Sequence, residues 1–414
     1  MTHGVPNKRL LMVMPYSQFV RKAAQAGFEV WAIWDPVLRE RAYLDSVAEH
    51  ARELLLTDFS DEAALRALIA STVRAHDIGT VLHLGAESSM GPVVAEAEAL
   101  GISPNPAAAV HRLNDKGALR ALLGEHGISP VRSELVLTTE AVAAAVSRLP
   151  LPVVVKPTRL SGSRGIALIR DAADLEEWTG RVTAAGHAGP YLVEEYLRGP
   201  EFSVETLSAG GTHHVIGITA KHTTGAPLFV ETSHIHPAPL APADDAAVRT
   251  LVTRLLDAAG LVFGPAHTEV ILTEHGPRVV ESQTRLGGDR IPQLIETATG
   301  YDIEAEIFRT LAGADIEPPT ALHIASVGFF LLPPGRLAEV RGLDAVRALP
   351  YVHTLHFPHA PGDELPPTTD SATRHGYVVV DAQSPAEAEE RIARVRSLLV
   401  ADVREATAPK GTPR

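Results

Sequence analysis

The stretch that decides the fold prediction is "ESQTRLGGDRI", residues 281–291. Glu281, Gln283 and Arg285 occupy every second position, so in an extended chain their side chains point to one face. A face that carries a carboxylate, an amide and a guanidinium is not a core face. The small residues that follow, Gly-Gly-Asp at 287–289, predict that the strand ends in a loop. The stretch therefore predicts a strand end that carries polar groups for chemistry.

The strand before this stretch carries a second carboxylate. A hairpin turn near His275, in "TEHGP", would place Glu269 opposite Glu281. Opposed like charges destabilise a strand pair, so either a positive group lies between them or one carboxylate is protonated. A hard divalent cation with oxygen ligands suits this arrangement, with Gln283 as a further oxygen donor. A slipped register that exposes Glu269 to solvent is the alternative, and the residues alone leave both open.

The composition describes a chain of more than one folded unit. Its 414 residues exceed what one hydrophobic core usually supports and predict two to three packed units. A hydrophobic fraction of 45% and a charged fraction of 21% are ordinary for a globular protein. The net charge of −13 argues against a nucleic-acid or anionic-membrane partner. The absence of cysteine excludes disulfides, thiolate metal sites and cysteine nucleophiles.

The first residues, "MTHGVPNKRLLMVMPYSQFV", lack the pattern of a signal peptide, because the apolar run after Lys8 and Arg9 is too short. No stretch of the sequence has the roughly 18 to 20 apolar residues that are needed to span a bilayer. We therefore expect a cytoplasmic protein without a membrane partner.

The order of strands and helices predicts an α/β and α+β architecture. The short apolar runs "RLLMVMP", "EVWAIW" and "TVLHLG" alternate with helical stretches, which indicates a parallel sheet in the first 108 residues. Between "YLVEEYL" and "RVVESQ" the runs become longer and are separated by turn signals, as is typical of antiparallel strands. After about residue 319, two further strands and a closing helix predict a small α+β unit.

Three features could hold a phosphate or another anion. Lys156 closes the apolar run "LPVVVK", where a lysine either reaches solvent or meets an anion. Lys116 falls in the first turn of a predicted helix, where the helix dipole disfavours a cation unless an anion is near. The loop "TRLSGSRGI" could wrap an oxyanion with backbone N–H groups, although most Gly/Ser turns are only turns. Its small residues are Ser161, Gly162, Ser163 and Gly165.

Two further polar sets allow a functional and a structural interpretation. His234 and His236 share one strand face and could bind zinc, but no third ligand follows from the spacing, so we favour a role in lining a substrate pocket. Glu201 and Glu205 alternate in "EFSVET". For Glu205 we favour the solvated face of an edge strand.

The order of these features resembles that of a known family. "NDK" at 114–116, the strand-end lysine, the Gly/Ser loop, "VEEYLRGPE" at 193–201 and the "ESQTR" strand end follow one another along the chain. Together they resemble the ATP-grasp superfamily from about residue 110 to 295. The resemblance implies that Lys116 and Lys156 contact ATP phosphates and that residues 161–165 form a flexible lid over the triphosphate.

The same resemblance implies further contacts to ATP and to a metal ion. The hinge beside adenine would be formed by Glu194, Glu195 and Leu197, partly through main-chain groups, and Glu201 would bind the ribose. Glu269, Glu281 and Gln283 would hold Mg²⁺, for which Mn²⁺ may substitute. The superfamily usually has asparagine where this sequence has Gln283, so the amide oxygen lies one methylene further out.

The resemblance also implies a domain organisation. A Rossmann-like pre-ATP-grasp domain would cover residues 1–108, and the ATP-grasp domain would cover 109–318, with its lid subdomain at about 130–192. A small C-terminal α+β subdomain would cover 319–402. The last residues, 403–414, are expected to form a disordered tail.

Within the superfamily, "VETSHIHPA" and "ESQTRLGGDRI" resemble the L-amino acid ligases, which join two amino acids into a dipeptide. Their arginine four residues beyond the last acidic metal ligand matches Arg285, which would bind the carboxylate being activated. Arg285 and Lys156 are thus the implied catalytic residues. The implied substrate residues are His234, His236, His267, Arg285, Gly287 and Gly288.

The resemblance implies an ATP-dependent carboxylate–amine ligase. A carboxylate would be activated as an acyl phosphate and joined to an amine, with release of ADP and phosphate. Small-molecule acids and amines are therefore the expected partners, and a homodimer is plausible. The alternatives are an ATP-grasp enzyme that activates bicarbonate, and a nucleotide-binding regulatory protein without turnover.

Overall fold

The amino-terminal part of the chain forms the predicted parallel sheet. The structure is a computed structural model that describes residues 7–85, 87–158, 162 and 164–404. The first sheet has four strands in the order β3-β2-β1-β4, and its pairs are parallel. Its strands are β1 (Arg9–Val13), β2 (Glu29–Trp34), β3 (Glu53–Leu56) and β4 (Thr80–His83). The helices of this part are α1 (Ser17–Gln25), α2 (Arg41–Ala48), α3 (Glu62–His76), α4 (Glu87–Ala99) and α5 (Ala107–Asn114).

The next part of the chain forms a second, smaller sheet. It opens with α6 (Lys116–Glu125), whose start is capped by the Asp115 side chain through the N–H groups of Gly117 and Ala118. Four antiparallel strands follow in the order β5-β8-β6-β7. The elements are β5 (Ser133–Val136), α7 (Thr139–Arg148), β6 (Val153–Pro157), β7 (Ala167–Ile169), α8 (Ala172–Ala184) and β8 (Tyr191–Glu195).

This smaller sheet has a hydrophobic core of its own, in which α7 and α8 cover one face. Trp178 of α8 is fully buried there and meets Tyr191 edge-to-face, with ring centroids 5.0 Å apart. These elements coincide with the proposed lid.

The largest sheet has eight strands in the order β13-β12-β9-β10-β11-β14-β18-β16. Its first five strands belong to the middle of the chain. Apolar side chains of β9, β10, β12 and β13 pack against α9, while the opposite face carries the polar residues described below. The elements are β9 (Glu201–Ala209), β10 (Thr212–Thr223), β11 (Glu231–His236), α9 (Pro242–Ala259), β12 (Gly264–Thr273), β13 (Gly276–Gln283), α10 (Ile291–Thr299) and α11 (Ile303–Leu311).

The C-terminal part of the chain contributes the other three strands of the large sheet. Strand β14 pairs with β11, so the sheet runs across the boundary that we propose at residue 318. A further small sheet has the order β17-β15-β19. The elements are β14 (Ile324–Phe329), β15 (Gly335–Arg341), α12 (Leu343–Arg347), β16 (Val352–His356), β17 (Glu364–Leu365), a 3-10 helix (Ser371–Thr373), β18 (Tyr377–Ala382), α13 (Pro385–Leu398) and β19 (Val400–Arg404).

Strand β19 corrects one boundary of the sequence analysis. Val403 and Arg404 belong to this strand, where Val403 pairs with Leu337 and Arg404 with Arg336. The predicted tail therefore began two residues too early. The rest of that tail, residues 405–414, lies outside the described residues. Across the described ranges, no helix is both long and apolar enough to cross a membrane.

Candidate active site

The predicted pairing of the two acidic strands is confirmed. Strands β12 and β13 form an antiparallel pair in which Glu269 lies directly opposite Glu281. The turn between them joins Thr273 to Gly276, and a register shift between Glu269 and Val270 then moves the pairing by one residue. Without this β-bulge Glu269 would face Val280, so the bulge brings the two carboxylates opposite each other. Both carboxylates belong to the polar face of the large sheet.

Each of the two carboxylates has a positive partner. The Nζ atom of Lys116 lies 2.9 Å from Oε2 of Glu281, and Lys221 forms an ion pair with Glu269. Burial disfavours the charge of Glu281, but Lys116 outweighs burial and holds its pKa below the usual range. Burial opposes the charge of Glu269 in the same way, yet Lys221 and His267 hold its pKa well below the usual value. Both groups are therefore charged at neutral pH, as a cation site requires.

The sequence analysis gave Lys221 no place in the site. This lysine of β10 is buried, and its Nζ atom lies 2.9 Å from Glu201 and 3.8 Å from Glu231, besides its contact with Glu269. Burial lowers the pKa of Lys221, but the surrounding carboxylates raise it well above the usual value. The scarcity of lysine was the available signal, because interior lysines are rare in this chain.

The side chain of Gln283 supplies a test of whether these residues fit a metal ion. Its Nε2 atom donates a hydrogen bond of 2.8 Å to Glu281, while its Oε1 atom is buried without a hydrogen-bond partner. A buried amide oxygen without a partner is costly, and a hard cation is one ligand that would satisfy it. Among the described residues, no cluster of three or more acidic or histidine side chains could hold a metal ion. The candidate set is therefore two carboxylates and one amide.

A cleft of about 910 Å³ opens between the smaller sheet and the polar face of the large sheet. Many of the predicted ATP and metal residues line it: Lys156, Gly162, Glu194, Glu195, Leu197, Glu201, Glu269 and Glu281. The lining also includes residues that the sequence analysis missed: Tyr196, Lys221, Phe229 and Glu231. Lys116, Gly165 and Gln283 are absent from the lining. Ser161 and Ser163 lie outside the described residues.

The buried cation Lys156 meets an anion of the protein itself. Its Nζ atom lies 2.5 Å from Oε2 of Glu194 and donates a hydrogen bond to the carbonyl oxygen of Val280. Arg120 binds the other oxygen of Glu194 at 2.5 Å. Burial opposes the charge of Glu194, but the two cations together hold its pKa below the usual range. The carboxylate of Glu194 is thus fully engaged by two cations of the protein itself.

A second cavity, of about 1680 Å³, is formed by residues from the amino-terminal, middle and C-terminal parts of the chain. The loop after β13 forms one wall, so the predicted substrate residues Arg285, Gly287 and Gly288 line it. Strand β13 ends at Gln283, so Arg285 lies beyond the strand and its guanidinium donates to the carbonyl oxygen of Leu286. Arg285 lines this second cavity and not the cleft that Glu281 lines. The expectation that the alternation simply continues from Glu281 to Arg285 is therefore wrong.

The three histidines that we expected to line the substrate pocket line neither cavity. His234 is fully buried, and its Nε2 atom lies 3.3 Å from Asp289. His236 packs where Gly217 has no side chain, and a Cβ atom there would lie 2.4 Å from its ring. Burial lowers the pKa of His236 to about 4, so its ring is neutral at pH 7. The three histidines are therefore buried side chains that lie outside the lining of both cavities.

Glu205 is the clearest error of the sequence analysis. Strand β9 is not an edge strand, because it pairs with β10 on one side and with β12 on the other. Glu205 is fully buried, contacts His267 and accepts a hydrogen bond of 2.9 Å from the N–H group of Gly287. Burial lowers the pKa of His267, but the carboxylates of Glu205 and Glu269 outweigh it and raise this pKa to about 9. The buried carboxylate thus faces a charged histidine.

One wall of the second cavity depends on the C-terminal part of the chain. Arg374 forms a bidentate ion pair with Asp289, and its Cζ atom lies 3.7 Å from the centroid of the Phe329 ring. Burial disfavours the charge of Asp289, but His234 and Arg374 lower its pKa strongly. Asp289 and Arg290 both have positive φ angles, of 51° and 68°, so this ion pair holds a strained loop in place. No sequence signal connects positions 289 and 374.

The close approach at Gly287 leads to a testable prediction. A Cβ atom at Gly287 would lie 2.6 Å from Glu205 and 2.7 Å from His267, both of which are buried. Gly287→Ala is therefore expected to lower the free energy of unfolding by about 1–3 kcal/mol, as overpacked sites usually do. Gly288→Ala is the matched control, because its Cβ atom would meet nothing within 4 Å. Urea denaturation measures both, and equal stability of the two variants would contradict the close approach.

Comparisons with known proteins agree with this geometry. A family model described as an ATP-grasp domain matches residues 149–293, and a model described as L-amino acid ligase C-terminal domain 2 matches residues 328–404. The solved L-amino acid ligase from Bacillus licheniformis superposes with a TM-score of 0.81 at 22% identity, over 97% of this chain and 100% of that one.

Two curated relatives are similar in sequence. An uncharacterized protein of Sinorhizobium fredii is 32% identical over 70% of this chain and 61% of its own length. The alanine–anticapsin ligase of Bacillus subtilis (strain 168) is 27% identical over 57% of this chain and 55% of its own length. The chain thus spans between half and two thirds of the length of these two relatives.

The fold and the matched model agree: residues 149–293 of the chain form an ATP-grasp domain, and the whole chain shares the fold of the solved ligase. Its matched C-terminal region further assigns it to the chains that carry the L-amino acid ligase C-terminal domain. The fold class expected from the sequence is therefore confirmed, with a parallel amino-terminal sheet, an ATP-grasp domain and a small C-terminal part.

Proposed function

We propose that the protein is an ATP-dependent ligase that joins a carboxylic acid to an amine, giving a dipeptide or amide together with ADP and phosphate. The observation that carries the proposal is the placement of two cavities around one short stretch of chain. Glu281 lines the cleft, and Arg285, four residues later, lines the second cavity. A nucleotide bound in the cleft would thus lie close to an acid bound beside Arg285.

The cleft has the charges that a nucleotide triphosphate requires. We propose that Lys116 and Lys156 exchange their present carboxylate partners for phosphate oxygens, since Lys156 lines the cleft and Lys116 contacts Glu281, which lines it too. Glu201 would accept hydrogen bonds from the ribose, and residues 194–197 would meet the base through their main chain. Ser161, Gly162, Ser163 and Gly165 remain our proposal for the lid over the phosphates.

We propose that Glu269, Glu281 and Gln283 hold a divalent cation, Mg²⁺ or Mn²⁺ in its place. The orphaned amide oxygen of Gln283 and the low pKa of both carboxylates support this set. The cation would neutralise charge on the phosphate oxygens. Lys116 and Lys221 now occupy the carboxylates that would bind it, so these lysines would have to turn toward the nucleotide.

The proposed reaction has two steps. In the first, an oxygen of the acid attacks the γ-phosphorus of ATP, the bond from that phosphorus to the β–γ bridging oxygen breaks, and ADP leaves. In the second, the amine nitrogen attacks the acyl carbon, phosphate leaves, and the amine loses a proton. Arg285 would stabilise the charge that develops on the acid in both steps, since a guanidinium can bind two oxygens at once. No side chain forms a covalent intermediate, which is consistent with a chain that has no cysteine.

The lining of the second cavity favours a ligase over the activation of bicarbonate. The aromatic side chains of Tyr16, Trp34 and Tyr377 belong to its walls, which suits an organic acid or amine better than a three-oxygen anion. The match to the L-amino acid ligase C-terminal domain supports the same choice. Arg285 in that cavity argues against a purely regulatory role.

We also propose separate roles for the three parts of the chain that the sequence suggests. Residues 109–318 would bind ATP, with the lid at about 130–192, while residues 1–108 and 319–402 would close the second cavity. The partners would be small-molecule acids and amines. A cytoplasmic homodimer is part of the proposal.

The proposal is tested by measuring phosphate release from ATP with Mg²⁺ and every pair of the twenty common amino acids. We expect ADP and phosphate to appear only with certain pairs, together with one product of the mass of a dipeptide. Addition of EDTA is the control and is expected to stop the reaction. Release of AMP and pyrophosphate, or ATP cleavage that requires bicarbonate and no amine, would contradict it.

A further inference from the structure

A buried polar row crosses the large sheet behind the two cavities. Its members are cross-strand neighbours: Glu205 of β9 lies beside His267 of β12, which lies beside Gln283 of β13. Glu205 is fully buried and His267 is 5% exposed, and neither lines the cleft or the second cavity. Burying a carboxylate is costly unless it is paired, so the burial of Glu205 away from both cavities requires an explanation.

One end of the row reaches the nucleotide cleft. The Nε2 atom of His267 lies 3.5 Å from Oε1 of Glu269, one of the carboxylates that we propose as metal ligands. The Nδ1 atom of the same ring lies 2.5 Å from Oε1 of Glu205. The imidazole is therefore held at both of its nitrogen atoms, and its orientation limits where the Glu269 carboxylate can lie.

The other end of the row reaches the wall of the second cavity. The second carboxylate oxygen of Glu205, Oε2, accepts a hydrogen bond from the N–H group of Gly287, whose loop also carries Arg285. The approach is so close that a Cβ atom at position 287 would lie 2.6 Å from Glu205. The loop therefore rests directly on the buried carboxylate.

We propose that Glu205 and His267 form a positioning pair that couples the metal-binding carboxylate Glu269 to the substrate loop at Gly287. The inference rests on the proposed function, because it assumes a metal–nucleotide complex in the cleft. If Glu269 held the cation, His267 would lose it as a partner and keep the carboxylate of Glu205, so the contact between His267 and Glu205 would strengthen. Glu205 is then held in place as the acceptor of the Gly287 N–H group, and the substrate loop is ordered when the nucleotide binds.

This coupling is expected to be of ordinary size. Binding at one site changes the affinity at a coupled site by about 5–150-fold in most characterised proteins. A pair that only stabilised the fold would make no such connection, since it would be equally important with and without a nucleotide. The experiment must therefore measure a difference between two binding states and not stability alone.

The test is hydrogen–deuterium exchange of peptides that cover residues 284–291, in the full chain, with ADP in EDTA and with ADP and Mg²⁺. In the wild type we expect Mg²⁺ to slow exchange in this loop by about 5-fold or more, in line with the usual coupling. We expect His267→Gln and Glu205→Gln to lose this metal-dependent slowing. Exchange that slows in both variants as in the wild type, or that does not slow in the wild type, would overturn the inference.

Thr206→Val is the matched control. Thr206 follows Glu205 in the same strand, is equally buried, and points to the opposite face, where its hydroxyl donates to the carbonyl oxygen of Ala266. Its loss is expected to lower stability, as removal of a buried hydrogen bond does, while the metal-dependent slowing remains. Loss of the slowing in this variant as well would show that general destabilisation, and not the pair, controls the loop.

Calorimetric titration of the same samples with ADP, with and without Mg²⁺, separates the two proposals. If the wild type binds no ADP in the presence of Mg²⁺, the proposed function fails. If it binds and both variants keep the slowing, only the positioning pair fails. A variant that binds ADP in EDTA, unfolds at the wild-type temperature and has lost the effect of Mg²⁺ on ADP affinity supports the contact between His267 and Glu269.

Discussion

Replacing Glu281 with glutamine (Glu281→Gln) is expected to lower the ligation rate by roughly 10³-fold, because charge stabilisation by a bound cation is worth several kcal/mol and each 1.36 kcal/mol is a factor of ten. The change keeps the shape of the side chain and removes only the charge that pairs with Lys116. The measurement is kcat for dipeptide formation with saturating ATP and Mg²⁺. Circular dichroism should show an unchanged fold.

The control for this variant lies on the same hairpin. Glu274 lies in the turn between β12 and β13 with its side chain 87% exposed, so Glu274→Gln removes a charge of the same type outside the site. We expect it to keep the wild-type rate. A Glu281→Gln enzyme that also kept the wild-type rate would remove Glu281 from the metal site.

Arg285→Lys is expected to lower kcat by about 10²–10³-fold, the usual effect of removing one preorganised hydrogen-bond donor from a transition state. Lysine keeps the positive charge but cannot donate two parallel hydrogen bonds to a carboxylate or phosphate. Because Arg285 lines the second cavity and not the cleft, the affinity for ADP should stay within about 2-fold, which is the uncertainty of context effects on such contacts. The measurements are kcat and the Kd for ADP.

Arg278→Lys provides the comparison for Arg285→Lys. Arg278 lies on strand β13, which precedes the loop that carries Arg285. It lines neither cavity and donates to the carbonyl oxygen of Pro277. We expect no change of kcat in that variant. An unchanged kcat in Arg285→Lys would assign Arg285 a structural role. A loss of ADP affinity as large as the loss of kcat would show that Arg285 contacts the nucleotide.

The parts of the site that the sequence predicted are those that local geometry controls. Glu269 and Glu281 lie on two strands that one tight turn joins, so counting from His275 placed them close together. Their direct opposition also needs the register shift between Glu269 and Val270, which the sequence does not reveal. Many of the cleft residues are close neighbours in the sequence, so the folded chain keeps them together. Glu194 to Leu197, at the end of β8 and directly after it, are an example. The parallel first sheet followed from the alternation of strands and helices.

The parts that the sequence did not predict depend on which strands become neighbours. Alternation along "EFSVET" shows that Glu201 and Glu205 share a face, but it cannot show that β9 is paired on both sides and that this face is covered. The contact between Asp289 and Arg374 joins positions 85 residues apart. Such contacts arise from the order of strands in the large sheet, which is a property of the whole chain.

The separate core of the smaller sheet has a practical consequence. Strands β5 to β8 and their two helices bury their apolar side chains among themselves, and none of their residues lines the second cavity. Exchange of these elements for those of another ATP-grasp protein is therefore expected to leave the apolar core of the large sheet intact. Under the proposed function, such a chimaera would differ in nucleotide binding and keep the acid and amine preference of the parent chain.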